Sequence, residues 1–410
     1  MRLDIPAIHL HSTPAVTLTP ARLLQSWVSN RQWLWSDVLV PLLLTRLALL
    51  FVGWFSQNFA RSPDYPLKEV IARGWQFSPY RLIDIWGRWD SGWYMSIVSE
   101  GYRLRGDILT TQSNIGFFPL YPQLVGFLIR WIPTSLLTAG VILLTGVIVS
   151  NLMLVGAMIL LHRLTAAYFD SAVARRAVLY LLVFPTGFFL SAFYTEATFL
   201  CLSLAAFYAA SRKAWPAACV MGGLLALTRA PGVLVAAPLV WMYAESLEWR
   251  LQRAGWELLW FLLIPAGLLS FLLSVYPLSG NLLAPLIVQT NWNHHLTALP
   301  LQTIIEPANP NNYLALLEQW TSVALLPAIV LAWKWLPSKA YSIYAALLLL
   351  LPLAAGTLSA MMRYGLVIFP AFIVLALLGK NPSVDRWVMI LFMAAQALFM
   401  ALWSQFYTVS

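Results

Sequence analysis

The sequence predicts an all-α polytopic membrane protein, and three observations carry that prediction. Of its 410 residues, 60% are hydrophobic and only 10% are charged, whereas soluble domains run at about 45–50% apolar and about 25% charged. Apolar runs recur along the chain at lengths near 20 residues, which is what a helix needs to cross a hydrocarbon layer of about 30 Å. The 20 Trp and 16 Tyr suit a chain with many membrane–water boundaries. The net charge of +9 does not point to nucleic acid. The basic residues lie as short pairs between apolar segments, not on one polar face. Cys201 and Cys219 both sit in apolar segments, which argues against a disulfide framework or a zinc site. No metal or cofactor is expected.

Taken in order, residues 1–35 read as a cytoplasmic tail without the apolar core of a signal peptide. Spans follow near 36–56, 137–161, 177–194, 196–211, 257–277, 319–336, 341–359, 364–380 and 386–406. The stretch 214–245 is too long for one span and is broken by "TRAPG". It reads as two short spans of about 15 residues, roughly 22 Å each, so the turn between them should lie recessed in the membrane. The segment "FFPLYPQLVGFLIRWIP", 117–133, is decided by charge. If it enters and returns on one side, Arg163, Arg175, Arg176, Arg212, Lys213, Arg250, Arg253, Lys334, Lys339, Lys380 and Arg386 all face the cytoplasm. The positive-inside rule asks for that arrangement. The expectation is therefore about eleven spans in one membrane domain over 1–410, with a large first extracytoplasmic loop over 57–136.

This topology gathers Asp90, Glu196, Arg229, His294, His295 and Arg363 on the outer face, although they are far apart in sequence. In "GRWDSGWYMSIVSEGY", 87–102, a helix places Trp89, Trp93 and Ile97 on one stripe and Asp90, Tyr94 and Val98 on the next. Such a helix suits the membrane interface. Asp90 is then a helix cap, an Arg88 partner, or a general base taking the proton of a hydroxyl nucleophile. Aromatic faces beside it suit sugar rings. Glu196, in "YTEATFL", either complements a helix dipole or acts as a second acid lining the same cavity. Arg229, in the recessed turn, is costly unless paired or facing a wet cavity. Arg363, in "MMRYG", is either a snorkelling flank or a second phosphate ligand beside Arg229. Arg46, inside the first span, is either functional or internally paired. His294 and His295 are candidates for substrate binding. "MGGLLAL" and "GVLVAA" read as helix-packing glycines.

The stretches "RWDSGWYMSIVSEGY", "FFPLYPQL", "FPTGFFLSAFYTEATFL", "GGLLALTRAPGVL" and "MMRYGLVIFPAF" together resemble the PIG-V mannosyltransferases and their bacterial relatives. The resemblance implies a GT-C fold and transfer of a sugar, typically mannose, from a polyprenyl or dolichyl phosphate with inversion at the anomeric carbon. It places the family's loop acid at Asp90 and its "YTE" acid at Glu196, with Arg229 and Arg363 at the "LTR" and "RY" positions.

The expected activity is thus a membrane glycosyltransferase with Asp90 and Glu196 as its acids. Arg229 and Arg363 would hold the donor phosphate. Arg88, Trp89, Trp93, Tyr94, His294 and His295 would bind substrate. The acceptor would be a glycolipid or glycan at the periplasmic face of a bacterial inner membrane. The rival from another class is a transporter or flippase of a lipid-linked sugar. It predicts internal repeats and mid-membrane charges, and neither stands out.

Overall fold

The computed structural model describes residues 32–59, 76–292, 302–305, 312–355, 358 and 360–409. Its regular structure among the described residues is entirely helical. The helices that frame the molecule are α1 (Val40–Phe59), α2 (Ser91–Glu100), α3 (Leu120–Ile129), α4 (Ala139–Tyr168), α5 (Ser171–Val183), α6 (Glu196–Ser211), α7 (Trp215–Ala226), α8 (Ala236–Ser246), α9 (Leu263–Ser279), α10 (Tyr313–Trp335), α11 (Ala340–Ala354), α12 (Met361–Gly365), α13 (Phe369–Leu378) and α14 (Pro382–Ser404). Five helical segments among the described residues are long and apolar enough to cross a membrane: Leu34–Phe59, Ala139–Tyr168, Trp256–Ser279, Leu314–Trp335 and Pro382–Ser404. The other apolar helices run 10 to 17 residues, so the expected count of eleven full spans is not reproduced by length.

Local chemistry explains the boundaries. The Thr138 hydroxyl accepts from Val141 N–H and starts α4, and the Asp170 carboxylate accepts from Val173 N–H and starts α5. Both are N-cap bonds that satisfy a donor left open at a helix start. The expected span 177–194 is interrupted: α5 stops at Val183, and Phe184 turns extended with ψ 141°. Pro185 is the cause, since a proline drives the preceding residue out of helical geometry. Residues 184–195 then form an irregular buried crossing that contains the short turn Gly187–Leu190. The Gln396 amide of α14 donates to the carbonyls of Leu182 and Phe184. Arg46 donates to the Gly187 carbonyl at 3.2 Å. Arg46 is therefore tied to an internal structural turn.

The "TRAPG" break is present. α7 ends at Ala226 and α8 begins at Ala236, with a 3₁₀ turn over Ala230–Val235 between them. Both glycine motifs mark close backbone approach. A Cβ on Gly267 would stand 2.3 Å from the Gly223 carbonyl oxygen, and one on Gly232 would stand 2.2 Å from that of Leu225. The α7–α9 contact is thus backbone against backbone, as small residues allow in lipid. Segment 117–133 contains only α3 as a regular helix. Its ten residues rise about 15 Å, half of the hydrocarbon thickness.

The core lies between α4, α5, α6, α11 and α13, where Tyr180, Phe188, Phe207, Tyr341, Tyr344 and Phe369 are buried. α2 and α3 pack on the start of α4 through a second apolar cluster that includes Tyr94, Tyr121 and Phe193. α1 packs along α14 and leaves Leu43, Leu47, Phe51 and Phe55 exposed, a face fit for lipid.

Candidate active site

The stretch 87–102 folds differently from the expected continuous helix. α2 begins at Ser91, with Asp90 at its N-cap and no side-chain cap bond. Trp89 precedes it in a left-handed conformation, φ 49°. The Trp89–Trp93–Ile97 stripe is therefore broken at its first member. Tyr194 sets this corner: its hydroxyl donates to the Arg88 carbonyl at 3.0 Å and accepts from Asp90 N–H at 3.2 Å. The Ser91 hydroxyl adds a bond to the Phe193 carbonyl. The loop acid is in this way anchored to the segment that leads into Glu196.

Freed from capping, the Asp90 carboxylate meets Arg363 Nη1 at 2.8 Å. Arg363 Nε lies 3.3 Å from Glu196 Oε1, and Arg229 Nη1 lies 2.9 Å from the same oxygen. Four residues from four separate stretches therefore form one chain of alternating charge. Glu196 is fully buried. Neither contact to it has hydrogen-bond geometry, and its two carboxylate oxygens accept no hydrogen bond among the described residues. It is held by charge alone. Burial disfavours the charge on both guanidiniums, but the carboxylates outweigh it: Asp90 and Glu196 raise Arg363, and Glu196 raises Arg229. Both arginines therefore stay cationic. Tyr194, Phe189 and Tyr364 face the Arg363 guanidinium at 5.3, 5.6 and 5.9 Å, and Tyr364 lies 5.1 Å from that of Arg229. These are cation–π distances.

Asp90, Arg229 and Arg363 open onto a cavity of about 1380 Å³, larger than the usual range of about 300–1,000 Å³ for a single small ligand. Its lining includes an apolar group, Val233, Leu234, Leu268, Leu351, Pro352 and Ala355. It also includes an aromatic group, Trp93, Phe117 and Trp292. Trp93 stacks on Phe117 at 5.7 Å, and Trp292 meets both edge-on at 5.6 Å.

Several sequence candidates fall elsewhere. Glu196 does not line the cavity; it sits behind the two arginines. Arg88 is fully buried away from the cavity. Its Nη1 pairs with Asp84 at 2.8 Å and its guanidinium lies 3.8 Å over the Phe406 ring, so Asp90 is not its partner. Tyr94 touches the cavity edge but points its hydroxyl at Thr195, 3.4 Å away. Burial pushes that hydroxyl above its ordinary pKa, which keeps it neutral. Trp89 lies on the cavity wall. His294 and His295 lie outside the described residues. No group of three metal-ligating side chains occurs among the described residues.

Two acids escaped the sequence reading. Asp84 accepts from Phe77 N–H and Ser78 N–H as well as from Arg88. The four-residue spacing of Asp84 and Arg88 was the signal that pointed to it. Glu318 is buried in α10 and accepts from Met362 N–H at 2.6 Å. The expected span began at 319, one residue too late to include it.

Residues 80–278 match the family model described as mannosyltransferase (PIG-V). No curated protein matches the chain. Among solved structures, ArnT from Cupriavidus metallidurans bound to undecaprenyl phosphate superposes with a TM-score of 0.50 at 11% identity. The match covers 89% of this chain and 76% of that one, and shows a shared helical fold. The matched segment supplies Asp90, Glu196 and Arg229, and over those residues the chain's resemblance to the PIG-V mannosyltransferases is shown.

Proposed function

We propose that this protein is an inverting membrane glycosyltransferase. It moves a hexose, mannose by its family, from a polyprenyl phosphate to a hydroxyl of a glycolipid or glycan. The observation that carries the proposal is the Asp90–Arg363–Glu196–Arg229 chain, three of whose members line a cavity that also presents apolar and aromatic side chains. The apolar lining suits the lipid of the donor. Arg229 and Arg363 would bind its phosphate and stabilise the charge that grows as the sugar–phosphate bond breaks. The acceptor hydroxyl attacks the anomeric carbon from the opposite side, and its proton passes to the Asp90 carboxylate. The products are a glycoside and free polyprenyl phosphate.

Both arginines are engaged by acids in the structure. A donor phosphate therefore competes with Asp90 for Arg363, and phosphate binding frees the carboxylate to act as base. Glu196 keeps the two cations together from behind. Trp93, Phe117 and Trp292 offer faces for sugar rings. The half-length α3 supports a first outer loop over 57–136 that does not cross, and hence a site on the extracytoplasmic face. An inner bacterial membrane is the setting we assign.

Asp90→Asn tests the reading. It keeps the shape and one acceptor oxygen but removes the base, so turnover should fall by about 10²-fold or more with the fold intact. Wild-type turnover by the purified variant would remove Asp90 from the mechanism.

A further inference from the structure

Arg363 must reach two carboxylates on different elements at once, and its own helix does little to hold it. α12 is five residues long and is entered through Ala360 in the left-handed region, φ 68° and ψ 13°. Glycine normally fills such a position. The turn is held from outside instead. Both polar backbone groups of Met362, the residue before Arg363, are taken up by buried side chains. Glu318 of α10 accepts the Met362 N–H at 2.6 Å, and the Thr186 hydroxyl donates to the Met362 carbonyl at 2.8 Å. Glu318 is 4% exposed and Thr186 fully buried. Neither lines the cavity. A carboxylate inside an apolar helix is costly and marks a task. An apolar residue there would leave the Met362 N–H without this acceptor, so what Glu318 supplies is the hold on the turn that carries Arg363.

We infer that Glu318 is a positioning residue for Arg363: by bonding the Met362 peptide it fixes the turn at the one register that brings the guanidinium to Asp90 and Glu196 together. Thr186 is the second arm of the same clamp. This inference rests on the proposed donor-phosphate role of Arg363.

The test is binding of undecaprenyl phosphate to the full-length protein in nanodiscs, with thermal midpoints measured alongside. Glu318→Leu should weaken binding about tenfold or more, and Glu318→Gln, which keeps an acceptor oxygen, should recover most of that loss. In an Arg363→Met background Glu318→Leu should add almost nothing, because the two changes act through one group. Thr186→Val should weaken binding in the same direction. Undiminished binding by a folded Glu318→Leu variant would overturn the inference. So would an equal loss in the Arg363→Met background, which would mark Glu318 as merely structural. If Glu318→Leu does not fold, wild-type affinity in Thr186→Val overturns the clamp. Failure of the wild type itself to bind overturns the donor reading, and with it this inference; binding by the wild type with an unaffected Glu318→Leu overturns this inference alone.

Discussion

At the scale of single residues, the cluster works by sharing. Arg363 is shared between Asp90 and Glu196, and Glu196 between two arginines. Removing one member leaves a buried partner without compensation, which is why such residues resist conservative exchange. Arg229→Met and Arg363→Met should each lower turnover by about 10²–10³-fold, the usual cost of losing one donor to developing charge. A steady-state assay with a polyprenyl-phosphate mannose donor reads this directly. Asp84 makes a separate prediction. It neutralises the buried Arg88 and ties the 77–78 backbone to the motif loop. Asp84→Ala removes the acceptor of the Phe77 and Ser78 N–H groups together with one carboxylate partner of Arg88, and should cost about 1–3 kcal/mol, seen as a lowered thermal midpoint in detergent with the cavity residues unchanged. That Asp90 and Glu196 fall in one cluster was expected from the sequence, and the structure brings them together through Arg363. Their different stations were not expected: Asp90 lies at the cavity wall and Glu196 behind it, and burial separates them, not residue type.

Among the elements, small residues and prolines decide which helices meet. Gly146 lies in α4 where a Cβ would fall 1.9 Å from the Phe193 ring. Phe193 precedes Tyr194, whose hydroxyl holds the Asp90 corner. Gly146→Ala should therefore push that crossing away and cost about 1–3 kcal/mol by overpacking. It should also reduce turnover, whereas Gly126→Ala, with open space around it, should do neither. Paired unfolding and activity measurements separate the two. Pro185 acts in the opposite sense, ending α5 so that residues 184–195 run irregularly through the core. Periodicity treats 177–194 as one apolar span because irregular buried backbone is as apolar in sequence as helix. What it misses is who satisfies the freed carbonyls, here Gln396 and Arg46 from helices over 130 residues away in the chain.

Over the whole molecule, sidedness is the property on which the proposal depends. In a background without Cys201 and Cys219, a cysteine at exposed position 107 should react with an impermeant maleimide from outside, and one at exposed position 213 only after permeabilisation. The reverse result would place the cavity on the cytoplasmic face and remove the proposed setting.

Composition and the recurring apolar runs near 20 residues together pointed to a helical chain built for lipid, because a continuous apolar run satisfies its own backbone in a membrane only as a helix, whereas barrel strands alternate apolar and polar residues. The order of motifs and the charge of the short loops pointed to Asp90, Glu196, Arg229 and Arg363 as a group. Only the folded chain decided how those four pair, that Arg88 belongs to Asp84, and that Glu318 and Thr186 grip the turn before Arg363. Such contacts join residues up to 273 positions apart. They depend on angle and depth within a few ångströms, which a one-dimensional pattern of apolar and polar residues does not encode.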